Sequence, residues 1–574
     1  MSLRGLLPRA ASALVLVCVV VCGAQATDGP GRHAIASAHP AATAAGRAIL
    51  DAGGNAFDAA VAVAAALAVA EPYSSGIGGG GFFLLHHAAD GRDTFLDARE
   101  TAPAAATHDM YLDANGEFVR ERSLNGALAA AIPGLPAALV HIARAHGTLP
   151  LAVSLAPAIR LAREGFLTGE RYRMMAGYRA EALVRDPIAG QIFLRDGVAP
   201  PAGTLIVQPH LARTLESIAA DGAESFYRGA LAQRLVAGVR AAGGIWTRDD
   251  LANYRVRERA PVVAEYGGIR VVSAPPPSSG GIVLIEALNI LERYDLATLD
   301  EADRVHLVIE AMRRAYRDRA DFLGDPDFTE IPLARLLADD YAAWLARDLA
   351  LDAATPSDAL PPIGARPEGT DTTHFSVIDA AGNRVAATLS INTPFGSTLV
   401  PPGTGVVLNN EMDDFSARPL TPNTYGLVGA GANAIAPGKR PLSSMTPTFL
   451  VGPERVAILG TPGGSRIISM VLIGALEFAR GGGPAAIVSA SRYHHQYLPD
   501  HVQYEQDGFD AALRAALLAK GHELEEVGRN YGNMQAIVWD RGADTLEAAS
   551  DPRGEGGADV WVPDADADMA TGTH

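Results

Sequence analysis

An α/β fold is what this sequence predicts, and three stretches predict it. Between Asp371 and Asn392, two apolar, β-branched runs flank a turn carrying Gly382 and Asn383, the signature of a hairpin. Arg455 to Gly460 reads as a short strand, Thr461 to Arg466 as a glycine-containing turn and Ile467 to Phe478 as a helix. Gly53-Gly54-Asn55 closes one helix, and a second runs from about Ala56 to Val69, apolar nearly all round and therefore buried. The 574 residues amount to roughly four average domains, though one or two large α/β domains would also fit.

Along the chain, the glycine run from Gly76 to Gly81 leads into the strand Phe82-Phe83-Leu84-Leu85. A nucleotide-binding loop does not fit there: no Lys-Ser/Thr follows, and the run precedes a strand where a dinucleotide fingerprint would open a helix. Close backbone packing accounts for it better. Thr94 to Pro103 is a second strand ending in Arg99-Glu100, with Arg99 a candidate anion binder set against the commoner surface arginine. From roughly Gly134 to Ala350, Ala/Leu/Arg-rich helical stretches alternate with short loops. Within them, Asp303 to Asp321 carries apolar residues at the period of a half-buried helix face. Pro275 to Gly281 is a rigid loop before another helix, and the Pro- and Gly-rich tract from Ala354 to Thr370 is the best linker, delivering the chain to the hairpin.

Residues 1–26 read as a secretory signal peptide. Arg4 and Arg9 precede an apolar run from about Ala11 to Val21, and Ala24-Gln25-Ala26 offers a small-residue cleavage site. That run is shorter than the roughly 20 residues a membrane span needs. Both cysteines, Cys18 and Cys22, lie inside the segment, so the mature chain is expected to have no disulfide, no thiolate metal site and no cysteine nucleophile. A covalent mechanism would then use a hydroxyl or a carboxylate. Without Arg4 and Arg9, 45 of the 47 Lys and Arg remain against 65 Asp and Glu, which disfavours nucleic acid as a partner.

Several polar groups follow the hairpin. Thr388, Ser390 and Asn392 fall at alternate positions of its return strand and share a face. The Asn409 to Phe415 segment bears three carboxylates, readable as a divalent-ion loop or, more commonly, as a solvated acidic loop. Strand, glycine turn and helix at 455–478 would present backbone N–H groups to an anion, unless the turn serves only helix packing. Adjacent His494 and His495 lack the spacing of a zinc pair, and neither a metal nor a cofactor is expected.

Taken together and in order, Thr-Thr-His-Phe-Ser-Val (from Thr372), Leu-Asn-Asn-Glu-Met-Asp-Asp-Phe-Ser (from Leu408), Arg-Pro-Leu-Ser-Ser-Met-Thr-Pro-Thr (from Arg440) and Pro-Gly-Gly-Ser-Arg-Ile-Ile (from Pro462) resemble the γ-glutamyltranspeptidase family, also called glutathione hydrolases. Upstream, Gly-Gly-Asn-Ala-Phe-Asp-Ala-Ala, the Gly76 to Gly81 run, Arg99-Glu100-Thr-Ala-Pro and Pro-Pro-Pro-Ser-Ser-Gly-Gly extend the likeness, as does Ala549-Ser550-Asp551-Pro552-Arg553 downstream. The resemblance implies the N-terminal nucleophile hydrolase fold, a four-layer αββα sandwich made as a precursor that cuts itself. It places the cut between Asp371 and Thr372, giving a large subunit of residues 27–371 and a small subunit of residues 372–574 that stay together as a heterodimer.

The same resemblance implies the site. Thr372 would be nucleophile and, through its freed α-amine, base, with the Ser390 hydroxyl supporting it where the family usually has threonine. Asn392, Glu411 and Asp414 would hold the α-ammonium of a γ-glutamyl group, and Arg99, Ser443 and Ser444 its α-carboxylate. Gly463 and Gly464 would form the oxyanion hole, and Tyr425 lies in the segment resembling the family's lid loop. Expected partners are glutathione and other γ-glutamyl compounds, with water or an amino acid or dipeptide as acceptor, in the periplasm or outside the cell. The rival readings are a related acylase, acting on β-lactam side chains or poly-γ-glutamate, and an unprocessed secreted binding protein.

Overall fold

The computed structural model describes residues 29–360, 372–416 and 431–563. Residues 1–26, expected to be a signal peptide, Asp371 and Tyr425 lie outside them. Thirteen strands build two main sheets: β1 (His33–Ser37), β2 (Gly80–His87), β3 (Arg92–Ala98), β4 (Arg257–Arg259), β5 (Val262–Tyr266), β6 (Ile269–Ser273), β7 (Thr373–Ile378), β8 (Arg384–Ser390), β9 (Thr448–Val451), β10 (Arg455–Gly460), β11 (Gln535–Asp540), β12 (Thr545–Ser550) and β13 (Gly557–Trp561). The first sheet runs β13-β1-β7-β8-β2-β3-β4 and the second β12-β11-β10-β9-β6-β5. Helices relevant to the site are α1 (Pro40–Asp51), α2 (Ala56–Ala70), α3 (Leu135–Ala145), α4 (Gly280–Leu291), α5 (Glu301–Phe322) and α6 (Arg466–Ala479).

The period of two in the strands builds the layers. Ile35, Phe83, Leu85, Phe375 and Val377 share a core with α1, α2 and α3. Their chain neighbours Ala34, Ala36, Phe82, Leu84 and Ile378 point the other way, into a core shared with the second sheet and α4, α5 and α6. Helix, sheet, sheet, helix is the αββα sandwich that the resemblance implied.

The hairpin forms as its sequence indicates, with β7 and β8 antiparallel and Gly382 at a φ of 92° in the turn. Every residue of α2 is buried, and Asn55 and Asp58 close a reciprocal capping box at its start. The glycine run is a packing device. A Cβ on Gly78 would lie 2.1 Å from the Val407 carbonyl oxygen, on Gly79 2.2 Å from that of Ser390, and on Gly80 2.4 Å from that of Ala98.

Two expectations need correction. The stretch read as helical between Gly134 and Ala350 also contains the hairpin β5–β6, whose Gly267-Gly268 turn has φ values of 56° and 75°. Its runs Val-Val-Ala-Glu-Tyr and Ile-Arg-Val-Val-Ser are rich in β-branched residues, and β5 takes the edge of the second sheet while β6 pairs inward with β9. The helix expected over Asp303 to Asp321 is buried nearly all round rather than on one face. Arg313, Arg314, Asp318 and Arg319 lie inside along with its apolar residues.

Candidate active site

β7 and β8 decide where the hydroxyls point. Register pairs Thr373 with Leu389 and His374 with Thr388, so one step further sets Thr372 across from Ser390. Alternation then separates the two threonines. Thr373 faces α2, where its Oγ1 donates to Glu71 Oε2 at 2.6 Å. Thr372 shares the face of His374 and Ser376, between the sheets, and lines a narrow pocket. Thr372 is 4% exposed.

Beside it, His374 fixes how closely the sheets approach. A Cβ on Gly460 of β10 would lie 2.2 Å from the His374 ring. The imidazole is bonded to Thr388 Oγ1 at 2.8 Å and Ser376 Oγ at 3.3 Å, and burial alone takes its pKa down to about 3. A neutral histidine therefore wedges the strand that carries Thr372 against the second sheet.

The same pocket is lined by Arg99, Arg319, Ser390, Asn392, Asp414, Ser443, Ser444 and Gly464. Arg99 is 1% exposed, so it is no surface arginine. Its guanidinium donates to Glu411 Oε2 and Asp414 Oδ2, both at 2.5 Å, and to the Pro441 carbonyl at 3.1 Å. Burial works against the Arg99 charge, but Glu411, Asp414 and Glu100 outweigh it and hold its pKa above the ordinary value. The carboxylates give way instead: burial pushes Glu100 up to about 8 and Glu411 well above the usual range, against the pull of Arg99. Burial also overturns the solvated-loop reading of the Asn409 to Phe415 segment. Asn409 Oδ1 accepts from the Ala131 and Glu411 N–H groups, and Asn410 Oδ1 from Thr393 N–H, which pins the acidic turn inward.

Asn392 leaves the strand at a φ of 74°, with its N–H on Ser390 Oγ at 2.8 Å and its Nδ2 on the Asn410 carbonyl at 2.9 Å. Pro275 to Gly281 and Arg440 to Thr446 turn out to be one clamp. Ser279 donates to the Ser443 carbonyl through both N–H (2.8 Å) and Oγ (2.7 Å), while Ser278 Oγ donates to the Met445 carbonyl at 2.7 Å. Opposite, Gly463 and Gly464 adopt φ values of 143° and 59° just before α6. No hydrogen bond among the described residues uses either glycine's N–H.

With Thr372 at a strand start facing this charged pocket, the comparisons with known proteins agree. The family model Gamma-glutamyltranspeptidase matches residues 42–561. The chain belongs to the γ-glutamyltranspeptidase family. It is 41% identical over 527 residues to the glutathione hydrolase proenzyme of Escherichia coli K12, covering 90% of each chain. It is also 37% identical to the acylase ACY 1 proenzyme of Pseudomonas sp. strain V22, covering 92% of this chain and 93% of that one. Among solved structures, the cephalosporin acylase of Bacillus halodurans superposes with a TM-score of 0.81 at 31% identity, over 92% of this chain and 95% of the other.

In this γ-glutamyltranspeptidase-family chain, one pocket residue escaped the sequence reading. Arg319 of α5 donates to Ser279 Oγ at 2.9 Å and Ser444 Oγ at 3.1 Å, and burial lowers its pKa to about 10. Its neighbours Arg313, Arg314 and Arg317 all pair with acids three or four residues away on the same helix. Arg319 has none at those positions, and that gap was the available signal. Two of the motifs that extend the family likeness are structural. Asp551 pairs with Arg492 and Arg553, and Asp58 ties α2 to the Thr148 N–H and Oγ1. His494 bonds Ser469 and Gln496, and His495 bonds Asp500 and the Tyr497 N–H, so all four ring nitrogens are engaged.

Proposed function

We propose that the protein is a self-processing γ-glutamyltransferase and glutathione hydrolase working through a γ-glutamyl ester on Thr372. The observation carrying this reading is that Thr372, immediately before β7, lines the same pocket as two buried arginines, a carboxylate, three serines and Gly464. A γ-glutamyl head is a zwitterion next to a reacting carbonyl, and such a head requires opposite charges at a fixed distance from a nucleophile.

The precursor is cut between Asp371 and Thr372. Cleavage converts the Thr372 amide nitrogen into an amine with an ordinary pKa of about 7.7–8.0, able to take the proton of the Thr372 hydroxyl. Oγ1 then attacks the γ-carbonyl carbon. The oxyanion is received by the Gly463 and Gly464 N–H groups, and loss of one such donor typically costs about 3 kcal/mol. The amine leaves with the proton held by the α-amine, cysteinylglycine being the product from glutathione. Water or an acceptor amine then attacks the ester through the same oxyanion site. Ser390, across the ladder from Thr372, accepts from Asn392 N–H and so has its own proton to offer the nucleophile's side.

Arg99, Ser443 and Ser444 hold the α-carboxylate, while Asn392, Glu411 and Asp414 hold the α-ammonium. Without substrate, Arg99 satisfies Glu411 and Asp414 directly. A zwitterion entering between them gives Arg99 a carboxylate and the acidic pair an ammonium, and leaves no buried charge alone. Tyr425 would close over it as part of the lid. Both sheets mix strands from either side of residue 371, since β7 and β8 lie between β1 and β2, and β9 pairs with β6. The large subunit (27–371) and small subunit (372–574) would thus stay interlocked after the cut. Residues 1–26 would direct export to the periplasm or the medium; among the described residues no helix is long and apolar enough to cross a membrane.

The acylase reading rests on the likeness to ACY 1 and to the cephalosporin acylase. A glutaryl side chain has no α-ammonium, so it would leave Glu411 and Asp414 without a cation beyond Arg99. Turnover of γ-glutamyl anilide against glutaryl anilide by the purified protein separates the readings. The γ-glutamyl compound is expected to be favoured at least 100-fold in kcat/KM, and a preference for glutaryl would establish the acylase.

A further inference from the structure

The far end of the first sheet holds a second group of titratable side chains that the γ-glutamyl chemistry does not use. Gly80 begins β2 opposite Ser390 and His87 ends it. Seven residues at about 3.3 Å each put His87 about 23 Å from the reaction site. Over His87 lie His141 on α3, His146 just past the end of that helix, and Glu258 on β4.

His141 Nε2 is 2.8 Å from Glu258 Oε1, and His146 Nε2 is 3.4 Å from the same oxygen. All three atoms fall within 4.8 Å of one another. Ligands held at about 2.0–2.1 Å around a tetrahedral zinc are separated by about 3.4 Å, so the triangle already has nearly the size required. The His146 side chain is 4% exposed, yet its Nε2 makes no hydrogen bond. Its Nδ1 lies 3.1 Å from His87 Nε2. With Nδ1–H donating to His87, the Nε2 lone pair faces the Glu258 carboxylate, an arrangement that repels without a cation and attracts around one. A ligating histidine is usually supported by an acceptor for its other ring N–H, most often a carboxylate, a backbone carbonyl or water, and here the His87 ring stands in that place. The cation that acts on His146, Arg92, is half-exposed and paired with Asp90. The other His–Glu group, His306, Glu310 and His522, differs: Arg313 and Arg314 already occupy its carboxylate.

We propose that His141, His146 and Glu258 form a binding site for a zinc-class divalent cation, with His87 orienting His146 and the fourth coordination position open to solvent. His141 and Glu258 are 32% and 42% exposed, which gives the ion its entry path.

The test is calorimetric titration of zinc chloride into tag-free, EDTA-treated, processed protein near neutral pH. One zinc per chain is expected, with affinity falling at least 100-fold in His141→Gln and in Glu258→Gln, both surface changes that leave folding intact. His87→Ala should weaken binding about 10- to 100-fold. γ-Glutamyl anilide turnover by the zinc-free variants should equal that of the wild type. Cobalt(II) should give the visible absorption of a tetrahedral site in wild type and lose it in His146→Gln. A silent titration of the wild type, or equal binding by the His141→Gln/His146→Gln double variant, would overturn the site.

Discussion

Arg99 Nη2 stands 2.5 Å from Asp414 Oδ2 in a pocket that also holds the strand-initial Thr372. That pair is the electrostatic centre of the account. Asp414→Ala removes one partner of a largely buried charge pair, a change that costs about 2–5 kcal/mol where such pairs bind ligands. Steady-state kinetics on γ-glutamyl anilide should show kcat/KM lowered about 10²- to 10³-fold, mostly through KM. A value within twofold of wild type would remove Asp414 from ammonium binding.

Arg319 predicts a smaller effect. It reaches Ser444, one of the two proposed carboxylate-binding serines, and Ser279, which holds Ser443 in place. Hydrogen bonds to charged groups contribute about 1.5–3 kcal/mol each. Arg319→Met should therefore raise KM about 10- to 100-fold, with Arg319→Lys recovering part of the loss. An unchanged KM would make the residue a packing element only.

Acid stability tests the His374 wedge. Burial lowers its pKa to about 3 in the folded protein, from 6.5 in the unfolded chain. Its stabilising contribution is full above pH 6.5, where neither state binds the proton. It is lost as pH falls towards 3, because the unfolded chain then takes up a proton that the folded one refuses. The loss amounts to about 4–5 kcal/mol at its limit. Thermal melts between pH 7 and 3 should fall less steeply for His374→Asn than for wild type; parallel curves would show that His374 does not govern the acid limb.

Gly460 tests the same contact from the other side. Gly460→Ala places a methyl 2.2 Å from the His374 ring, and overpacking of that kind costs about 1–3 kcal/mol or more. Lower melting temperature and reduced self-cleavage are expected. Gly177→Ala, whose methyl would meet nothing closer than 3.8 Å, serves as the control and should be neutral or stabilising. Equal melting temperatures for the two variants would refute the close approach.

Local pattern made much of this molecule legible. Strand alternation and the Gly382 turn specify the β7–β8 hairpin, and a 15-residue apolar helix can only be α2. The resemblance carried by the ordered motifs grouped Thr372, Arg99, Asp414 and the paired serines, which line one pocket. What stayed hidden depends on distant partners. Arg319 meets Ser279 and Ser444, 40 and 125 residues away, so its helix neighbours show that it lacks a local acidic partner but not which residues it meets. Gly460 is invisible as a constraint until His374 arrives from the other sheet. The β5–β6 hairpin was missed for a different reason: its own residues signal strands, but the Ala/Leu/Arg-rich helices around it set the expectation.

The most direct measurement is denaturing electrophoresis of the purified protein, with N-terminal sequencing of each band, for wild type and Thr372→Ala. Wild type should give two bands, the smaller beginning Thr-Thr-His-Phe-Ser, while Thr372→Ala should remain one chain without turnover. A wild-type protein that stays uncut, or a Thr372→Ala protein that is cut and active at wild-type level, would contradict the assignment of Thr372 as nucleophile.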